Sequence, residues 1–577
     1  MKTLLASFLA LSFLALGQEP QAAPSADSAK FAPVEGIPVT SQLVISKCSG
    51  CHTKDNKGVM TRISYVRASP EGWEEAIKRM IRLRGVSLTP EEAHGILKYL
   101  STYHGLAPEE GNPIMYWAEH RIQDETNIPN DTVKGACANC HAFAKPLAWR
   151  RSPQDWRYLA NLHVALYPQA DEAFRLGLNA GGADGERHNV DPNAPLPVDV
   201  AVDYLSKAAA LHTPEWAAWR ARMRAPKLAG RWVVSTHLPG RGKFYGEMLI
   251  EPKPGVDDEF TTKVKLTSVK DGSTITRTGK CVIYAGYAWR GRSKGTPPAK
   301  PAPDDLSSEM REVMSVSADQ SSAEGRWFWG EYQEFGFDVK MQRASADPML
   351  ITSDVSSLKT GTTGNRVRLV AESLPSQIGA SDLDFGAGVT VKRIVSHNAT
   401  EIIAEVDVAS DAVSGKRDIF FRRAVLPNAV AVYDHIDYIK VTPDSALSHL
   451  GSEHHPKGFQ QFEAVAYQRG ADGKLHTADD VELGPIDVNW TVEEFYATYG
   501  DDDKEFVGSL GPTGFFTPAS DGPNPQRKFS RNNYGDIWVV ATAKNEKDKE
   551  GKPLVGKSYL VVTVPSYIRW DQPEVGQ

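Results

Sequence analysis

The spacing of apolar residues changes once along this chain, near Trp232. Before that point apolar residues recur every three or four positions, as in "SPEGWEEAIKRM" from Ser69 to Met80, and this spacing predicts amphipathic helices. After it apolar and polar residues alternate, as in "FTTKVKL" from Phe260 to Leu266, between turns rich in Gly, Asp and Pro. Such alternation predicts short strands. We therefore expect a helical first part and a β-structured remainder.

Two segments of the helical part share one layout. The stretches Ser69–Met80 and Ser152–His163 both begin Ser-Pro-x-x-Trp, with Ser as the helix cap and Pro in the first turn. Each apolar stripe starts at the Trp and returns at its fifth and eighth residues: Trp73, Ile77 and Met80 in the first, Trp156, Ala160 and His163 in the second. Further on, "KYLS" is matched by "DYLS". The repetition predicts a duplicated unit.

A Cys-x-x-Cys-His pentapeptide precedes each of these segments, "CSGCH" at Cys48–His52 and "CANCH" at Cys137–His141. This spacing is the attachment signal of c-type haem, in which both thiols bind the haem vinyl groups and the His ligates iron. A redox dithiol or half of a zinc site is the alternative, but a zinc site needs a second nearby ligand pair, which neither motif has. The sequence predicts two haem c groups, attached at Cys48, Cys51, Cys137 and Cys140 with His52 and His141 as proximal ligands.

The duplicated helices supply candidates for the opposite side of each iron. Met80 and His163 occupy equivalent positions on the apolar stripes, and both side chains are known axial ligands of haem. The alternatives are Met60 and Met115 in place of Met80, and His188, His212 and Met223 in place of His163. Two six-coordinate irons, of which the His/Met iron has the higher reduction potential, predict an electron relay. An open iron would instead predict an enzyme acting on oxygen or peroxide.

The amino terminus and the charge of the chain indicate its compartment. "MKTLLASFLALSFLALG" has one Lys before a short apolar run, and small residues follow, so a secretory signal cleaved after Gly17 or Ala23 is expected. The run is short for a membrane-spanning helix, and no later segment is apolar enough. The formal net charge is −7 without a polybasic run, which argues against a nucleic-acid partner. We expect a periplasmic protein without a membrane anchor.

The chain of 577 residues is long enough for several domains. The patterns predict a signal peptide at 1–23, an all-α di-haem cytochrome c domain at 24–226 and three all-β domains. These are a β-barrel at 227–346, an Ig-like β-sandwich at 347–441 and a further β-sandwich at 442–577.

The β part offers few residues with reactive or metal-binding chemistry. The fifth cysteine, Cys281, lies in an apolar run and is expected to be a buried thiol. Asp472, Asp479 and Asp480 of "GADGKLHTADDVELG" could bind Ca²⁺, yet the segment lacks the ligand spacing of an EF-hand, and a solvated turn is the preferred interpretation.

A signal peptide, a di-haem cytochrome with "CSGCH" and "CANCH", and three β domains that include "YAGYAWRGR" (Tyr284–Arg292) resemble the alpha subunit of quinohemoprotein amine dehydrogenase. The resemblance covers essentially the whole mature chain. It implies a periplasmic heterotrimer that deaminates primary amines oxidatively, with cysteine tryptophylquinone and the catalytic base in a small gamma subunit and a propeller in a beta subunit. The alpha subunit would carry electrons from the quinone to a soluble cytochrome c or blue-copper protein.

On this interpretation the chain is the haem-bearing subunit of an oxidoreductase and holds no catalytic residue itself. Cys281 and Trp289 are a tempting pair for a crosslinked quinone, but the resemblance places that crosslink in another subunit. Two alternatives stay open. One is a di-haem peroxidase in which His163 is displaced from iron, and the other is a generic periplasmic di-haem carrier that serves another dehydrogenase.

Overall fold

A computed structural model describes residues 31–116, 128–138, 140–176, 194–330, 335–496, 500–548 and 550–565 of the protein. The predicted signal peptide at 1–23 lies outside these residues. The predicted order, a helical domain followed by β domains, is confirmed. None of the helices within the described ranges is long and apolar enough to cross a membrane.

The first domain is mostly helical. Its helices are α1 (Gln42–Cys48), α2 (Pro70–Arg84), α3 (Pro90–Tyr103), α4 (Pro108–Gly111), α5 (Asp131–Cys137), α6 (Ala144–Leu147), α7 (Pro153–Leu166), α8 (Pro168–Leu176), α9 (Pro197–Ala208) and α10 (Pro214–Arg222). Short 3-10 turns lie at Ile63–Tyr65 and Asn112–Ile114. The all-α expectation needs one correction, because β1 (Val66–Ala68) pairs with β2 (Trp149–Arg151) in an antiparallel ladder. Three-residue strands are too short to show a period in the sequence.

The duplication seen in the sequence is repeated in the contacts of this domain. Ser69 caps α2 by accepting a hydrogen bond from the Gly72 amide, and Ser152 caps α7 in the same way from the Asp155 amide. The two strands β1 and β2 lead directly into these caps, and their pairing joins the two units. Each unit therefore starts its long helix from the same central ladder.

The two tryptophans of the repeated segments make equivalent hydrogen bonds. Trp73 Nε1 donates to the carbonyl of His104 at 2.8 Å, at the end of α3, and Trp156 Nε1 donates to the carbonyl of Ala209 at 3.2 Å, at the end of α9. Both indoles are buried. Trp73 therefore joins α2 to the end of α3, and Trp156 joins α7 to the end of α9.

The second domain is a closed barrel of eight antiparallel strands in which each strand pairs with its neighbours in sequence and β10 closes on β3. The strands are β3 (Gly230–Leu238), β4 (Gly242–Pro252), β5 (Glu259–Ser268), β6 (Thr274–Tyr284), β7 (Ala288–Lys294), β8 (Met310–Val316), β9 (Ser322–Phe328) and β10 (Gly336–Arg343). Alternate side chains fill the interior with large apolar groups such as Trp232, Trp289 and Trp327. The barrel is a packed core.

The third domain consists of two four-stranded sheets around one apolar core. One sheet has the order β11 (Met349–Ser353), β13 (Asn365–Glu372), β16 (Glu401–Val408), β15 (Val389–His397). The other has the order β12 (Ser357–Lys359), β18 (Ala424–Tyr433), β17 (Gly415–Phe421), β14 (Leu383–Asp384). The alternating burial along β16 shows that one face of its sheet packs inward, as in a β-sandwich.

The fourth domain contains three sheets. They are β19 (Tyr438–Thr442) with β22 (Glu463–Gln468) and β23 (Val481–Pro485); β20 (Ser445–His449) with β28 (Pro553–Thr563), β27 (Gly535–Lys547) and β24 (Val488–Glu494); and β21 (Gln460–Gln461) with β26 (Phe515–Pro518) and β25 (Gly508–Leu510). A short helix, α11 (Asp503–Phe506), precedes β25. Its core includes Phe462, Phe516 and Ile537, all fully buried.

The helical domain is fastened to the barrel by buried polar contacts. Arg290 of β7 forms an ion pair with Glu71 of α2, and both side chains are buried. Trp219 Nε1 donates to the carbonyl of Ala285 at 3.0 Å. These buried contacts join the helical domain to the barrel, and removing one partner of the ion pair would leave the other as a buried, unpaired charge.

Candidate haem-binding sites

The first Cys-x-x-Cys-His motif begins at the last residue of α1. The amide of His52 donates to the carbonyl of Cys48 at 2.9 Å, which turns the chain back so that both cysteines and the imidazole lie on one short loop. Cys51 is exposed and Cys48 is half-buried. The ring atom Nδ1 of His52 lies 2.9 Å from the carbonyl oxygen of Thr61, which orients the imidazole.

The second motif begins at the equivalent place, because Cys137 is the last residue of α5. Cys137 is half-buried and Cys140 is exposed, as in the first motif. Nδ1 of His141 lies 3.0 Å from the carbonyl oxygen of Ala142. The two loops therefore offer the same set of two thiols and one oriented imidazole.

The structure brings His163 of α7 to the second motif. Burial is the main cause that lowers the pKa of His141, and the charges of Lys145 and His163 lower it further, so the two imidazoles interact electrostatically although 22 positions separate them in the sequence. Nδ1 of His163 is held at 2.9 Å from the carbonyl oxygen of Leu159. The ring also lies 6.1 Å from that of Phe174, centroid to centroid. His141 and His163 are brought together by the fold.

All three oriented histidines leave their other ring nitrogen available. Within the described residues no hydrogen bond reaches Nε2 of His52, His141 or His163, whereas Nδ1 of each is bonded to a backbone carbonyl. Burial lowers the pKa of each imidazole below its usual range. A neutral ring whose Nδ1 is bonded to a backbone carbonyl is the form in which histidine ligates a metal through Nε2.

Met80 lies in the last turns of α2 and is half-buried. Its carbonyl accepts the amide of Gly85, which adopts the left-handed conformation that ends the helix. Met80 stands at the position of α2 that His163 occupies in α7. We place it opposite His52 by this equivalence, and that assignment stays a prediction.

The structure describes four of the five alternative ligands. Met60 is fully buried in the core, and Sδ of Met115 lies 4.0 Å from the guanidinium of Arg290 at the contact with the barrel. Nε2 of His212 is within 2.7 Å of the carbonyl oxygen of Glu35. Met223 packs against the turn at Gly286 of the barrel, and His188 lies outside the described residues.

Apolar side chains next to both distal positions are exposed. Ile81 and Leu83 follow Met80 and are 39% and 53% exposed, and Val164 and Leu166 follow His163 and are 40% and 42% exposed. Exposed apolar groups that cluster beside a candidate site indicate a surface that a ligand covers. With two thiols and oriented imidazoles, these surfaces fit a haem, which is large, flat and mostly apolar.

Sequence reasoning missed a buried carboxylate that joins the two units. Glu110 of α4 accepts two hydrogen bonds from Arg67, at 2.7 and 2.9 Å, and one from Arg150 Nε at 3.2 Å. Thr213 donates a further bond at 2.8 Å. Burial alone would raise the pKa of Glu110, but Arg67 and then Arg150 lower it to about 2. Arg67 and Arg150 each lie two residues before a Ser-Pro cap. This equivalent position in the two repeated segments could have identified the pair from the sequence.

Charged side chains near each Cys-x-x-Cys-His motif also contact the long helix of the other unit. Arg62 and Lys145 each lie seven residues before a serine cap. The guanidinium of Arg62 lies 4.2 Å from the centroid of the Tyr158 ring on α7, and Lys145 Nζ lies 3.3 Å from a carboxylate oxygen of Glu75 on α2. Because Tyr158 and Glu75 are equivalent positions, each motif is flanked by the long helix of the other unit.

The candidates in the β domains have structural partners. Cys281 is buried in the barrel, and Trp289 Nε1 donates to Glu312 at 3.0 Å. In the acidic turn, Asp479 accepts the amide of Asp472 at 3.1 Å, and Asp480 accepts the Tyr438 hydroxyl at 2.6 Å. These hydrogen bonds account for the turn. The predicted preference for a turn over a Ca²⁺ site is consistent with them.

The described residues contain one close group of carboxylates suited to a metal, at Asp501, Asp502 and Asp503 of the fourth domain. Arg527 and Arg531 both form ion pairs with this group, and Arg531 reaches all three residues. Two guanidinium groups already neutralise the carboxylates, so the cluster is accounted for without an ion.

Two solved structures illustrate the similarity of parts of the chain to known folds. A redesigned beta barrel is 15% identical and covers 20% of this chain and 92% of its own, with a TM-score of 0.16. Human Protocadherin-24 EC1-2 is 12% identical and covers 38% of this chain and 98% of its own, with a TM-score of 0.15. No curated protein matches the chain.

Four family models match successive parts of the chain between residues 39 and 575. Residues 39–179 match "Quinohemoprotein amine dehydrogenase A, alpha subunit, haem binding". Residues 225–344, 351–434 and 439–575 match domains II, III and IV of the quinohemoprotein amine dehydrogenase alpha subunit. The matched ranges follow the helical domain and the three β domains described above. The chain therefore belongs to the family of quinohemoprotein amine dehydrogenase alpha subunits, of which it has the haem-binding domain and all three β domains.

Proposed function

We propose that this chain is the electron-transfer subunit of a periplasmic quinohemoprotein amine dehydrogenase and carries two covalently bound haem c groups. Cys48 and Cys51 would attach the first group and Cys137 and Cys140 the second, through thioether bonds. When bound, each haem supplies a one-electron Fe(III)/Fe(II) couple. The family and the two equivalent sets of thiols and oriented imidazoles support this proposal.

The observation that carries the proposal is the pair of histidines at the second motif. His141 and His163 lie near each other, each is fixed through Nδ1 and each keeps Nε2 available. Two such imidazoles can close both axial positions of one iron. By equivalence His52 and Met80 would close the other. Held by these residues, each haem would supply electron transfer and would leave the amine chemistry to another site.

The remaining chemistry would then lie outside this chain. Amine oxidation requires a group that reacts with the substrate, and we assign it to cysteine tryptophylquinone in a small gamma subunit, next to a beta propeller subunit. This chain would take electrons from the reduced quinone and pass them to a soluble cytochrome c or blue-copper protein. Cys281 and Trp289 are both fully buried in the barrel core, and Trp289 is bonded to Glu312, which supports a structural role for them.

Low-temperature EPR and near-infrared absorption of the oxidised protein test the ligand assignment. We expect one His/His and one His/Met low-spin signal. His163→Ala should abolish the first signal and Met80→Ala the second. His212→Ala and Met223→Ala are matched controls, since these residues were the alternatives, and both should leave the spectra unchanged. A high-spin iron in the unmodified protein, with turnover of hydrogen peroxide, would refute the relay and favour a di-haem peroxidase.

Activity measurements test the division of labour. The complete enzyme should oxidise primary amines and reduce the haems, and the isolated chain should do neither. Amine oxidation by the isolated chain would contradict the proposal. A complete gene neighbourhood without a small Cys- and Trp-rich subunit would point to a carrier for another dehydrogenase.

A further inference from the structure

A strained turn lies beside the first Cys-x-x-Cys-His motif. Arg62 has φ 67° and ψ −55°, and the amide of Ile63 donates to the carbonyl of Thr61 at 2.8 Å. These angles and this hydrogen bond define a γ-turn of the rare, strained kind with positive φ at its central residue. Phe529 also has a positive φ, but its ψ of 23° lies near the ordinary left-handed region. A residue other than glycine keeps the conformation of Arg62 only where surrounding contacts impose it.

The turn directs the carbonyl group of Thr61 toward the candidate proximal ligand. The Thr61 oxygen accepts the Ile63 amide and also lies 2.9 Å from Nδ1 of His52. The amide of Thr61 donates to the carbonyl of Thr53 at 3.0 Å, which fixes Thr61 to the residue that follows His52. The direction of the His52 imidazole therefore depends on the backbone conformation of Arg62.

The side chain of Arg62 is held by the long helix of the other unit, α7. Its Nη1 lies 3.2 Å from Oδ1 of Asp155, and its guanidinium lies 4.2 Å from the centroid of the Tyr158 ring. Asp155 is 3% exposed and accepts the Ser152 hydroxyl at 2.8 Å, so it is a fixed anchor at the start of α7. Positions 155 and 158 are neighbours on one face of the helix. The ion pair and the cation–π contact together restrain the guanidinium from two sides.

The second motif is built differently at the equivalent position. Lys145 also lies seven residues before its serine cap and contacts Glu75 of α2 at 3.3 Å. Lys145, however, belongs to the helix α6, and the carbonyl that orients His141 comes from Ala142, the next residue in the chain. The contact between the units therefore reaches the residue beside the orienting carbonyl at the first motif and does not reach it at the second.

We propose that Arg62 is a positioning residue for the first haem. Anchored on α7, it holds the turn whose Thr61 carbonyl orients the His52 imidazole. The inference rests on the proposed function, because it requires a haem at the first motif. A hydrogen bond at Nδ1 makes an imidazole a stronger donor through Nε2, so residues that fix this bond tune the metal. Arg62 thereby links the proximal side of the first haem to α7, the helix that carries His163.

Two variants of opposite charge change distinguish positioning from a simple charge effect. Arg62→Gln removes a positive charge and Asp155→Asn a negative one, and each breaks the same ion pair. If the pair holds the turn, both variants loosen the bond at Nδ1 of His52, weaken the imidazole as a donor and favour Fe(II). If charge alone acts, Arg62→Gln favours Fe(III) and Asp155→Asn favours Fe(II). The Arg62 side chain is 39% exposed, so solvent screens the charge effect.

The measurement is an electrochemical titration of the complete enzyme followed by EPR, which separates the two haems. The first-haem signal is the one that remains in His163→Ala. At a fixed applied potential, Arg62→Gln and Asp155→Asn should both raise its Fe(II)/Fe(III) ratio about threefold, which equals about 28 mV at about 59 mV for each tenfold change. Arg62→Lys can still pair with Asp155 and should restore most of the unmodified ratio. Lys145→Gln, at the equivalent position, is the matched control and should leave the first-haem ratio unchanged.

Shifts of opposite direction in Arg62→Gln and Asp155→Asn would overturn the inference. An unchanged first-haem ratio in Arg62→Gln, or an equal change in Lys145→Gln, would do the same. If Arg62→Gln fails to mature, Arg62→Gly takes its place, since glycine adopts the positive φ of the turn without strain and still loses both anchors. A ratio in Arg62→Gly that equals or falls below the unmodified one would also overturn the inference. Fewer than two haems in the unmodified enzyme, counted by its pyridine haemochrome, would instead refute the proposed function.

Discussion

The substitution Glu110→Gln tests how the two units of the helical domain are held together. Glu110 is buried between Arg67 and Arg150, the equivalent arginines of the two units, and is 7% exposed. The amide of glutamine has the size of the carboxylate but no charge. It leaves both guanidinium groups buried without a counterion, so the variant should lose stability through electrostatics rather than through packing.

The pKa of Glu110 gives the size of the expected stability loss and the direction of its pH dependence. The contacts with the arginines lower this pKa from 4.5 to about 2. A difference of about 2.5 units corresponds to about 3 kcal/mol of folding free energy at neutral pH. Because the folded-state pKa is lowered, this stabilisation is complete above pH 4.5 and is lost as the pH falls toward 2. The free-energy difference between the two proteins should therefore shrink over that range.

Urea unfolding followed by circular dichroism at 222 nm measures this difference, since nearly all helices of the described chain belong to this domain. Glu109→Gln is the matched control, because Glu109 is an exposed neighbour that pairs with Arg222 at the surface. Such a pair contributes about 0–1 kcal/mol. A Glu110→Gln variant as stable as Glu109→Gln at pH 7, or a stability difference that stays constant between pH 5 and 3, would refute the reasoning.

Two further substitutions test the contacts that build the domain. Trp73→Phe and Trp156→Phe each remove one indole hydrogen bond to a helix-ending carbonyl, so each should cost about 1 kcal/mol in the same unfolding assay, and clearly unequal losses would contradict the equivalence of the units. Glu71→Gln leaves Arg290 buried without its ion pair at the barrel and should cost about 3–5 kcal/mol in urea unfolding followed by tryptophan fluorescence. Glu74→Gln is its control, and equal losses in the two variants would show that the interface does not depend on the Glu71 carboxylate.

The features predicted correctly from the sequence are mostly local. Ser69 and Ser152 cap their helices through amides three residues away, and such bonds depend only on neighbouring residues. The barrel strands alternate between inside and outside, so β5 could be identified from "FTTKVKL" alone. The β1–β2 ladder could not be foreseen, because its pairs, such as Val66 with Arg151, are far apart in the sequence and too few to create a pattern.

The contacts of the arginines in the helical domain also could not be predicted from the sequence. The sequence places Arg67, Arg150 and Arg151 beside the serine caps, but it does not reveal which side of the ladder each one faces. Strand geometry sends Arg150 to Glu110 and Arg151 to the opposite face. The first has a carboxylate from a distant helix, and the second has none among the described residues. Only the assembled domain shows which of these arginines has a carboxylate partner.

By itself the sequence predicts which residues would hold a haem, because the attachment signal is a set of five consecutive residues with a defined spacing. The sequence also predicts the duplicated unit, because two equivalent helices require the same spacing of cap and apolar residues. Only the tertiary structure shows which residues that are distant in the sequence come into contact. It brought His163 toward His141, set Glu110 between the two units and left Arg151 without a counterion. Such contacts join residues that are distant along the chain, and their free energy depends on burial, which exists only after the chain has folded.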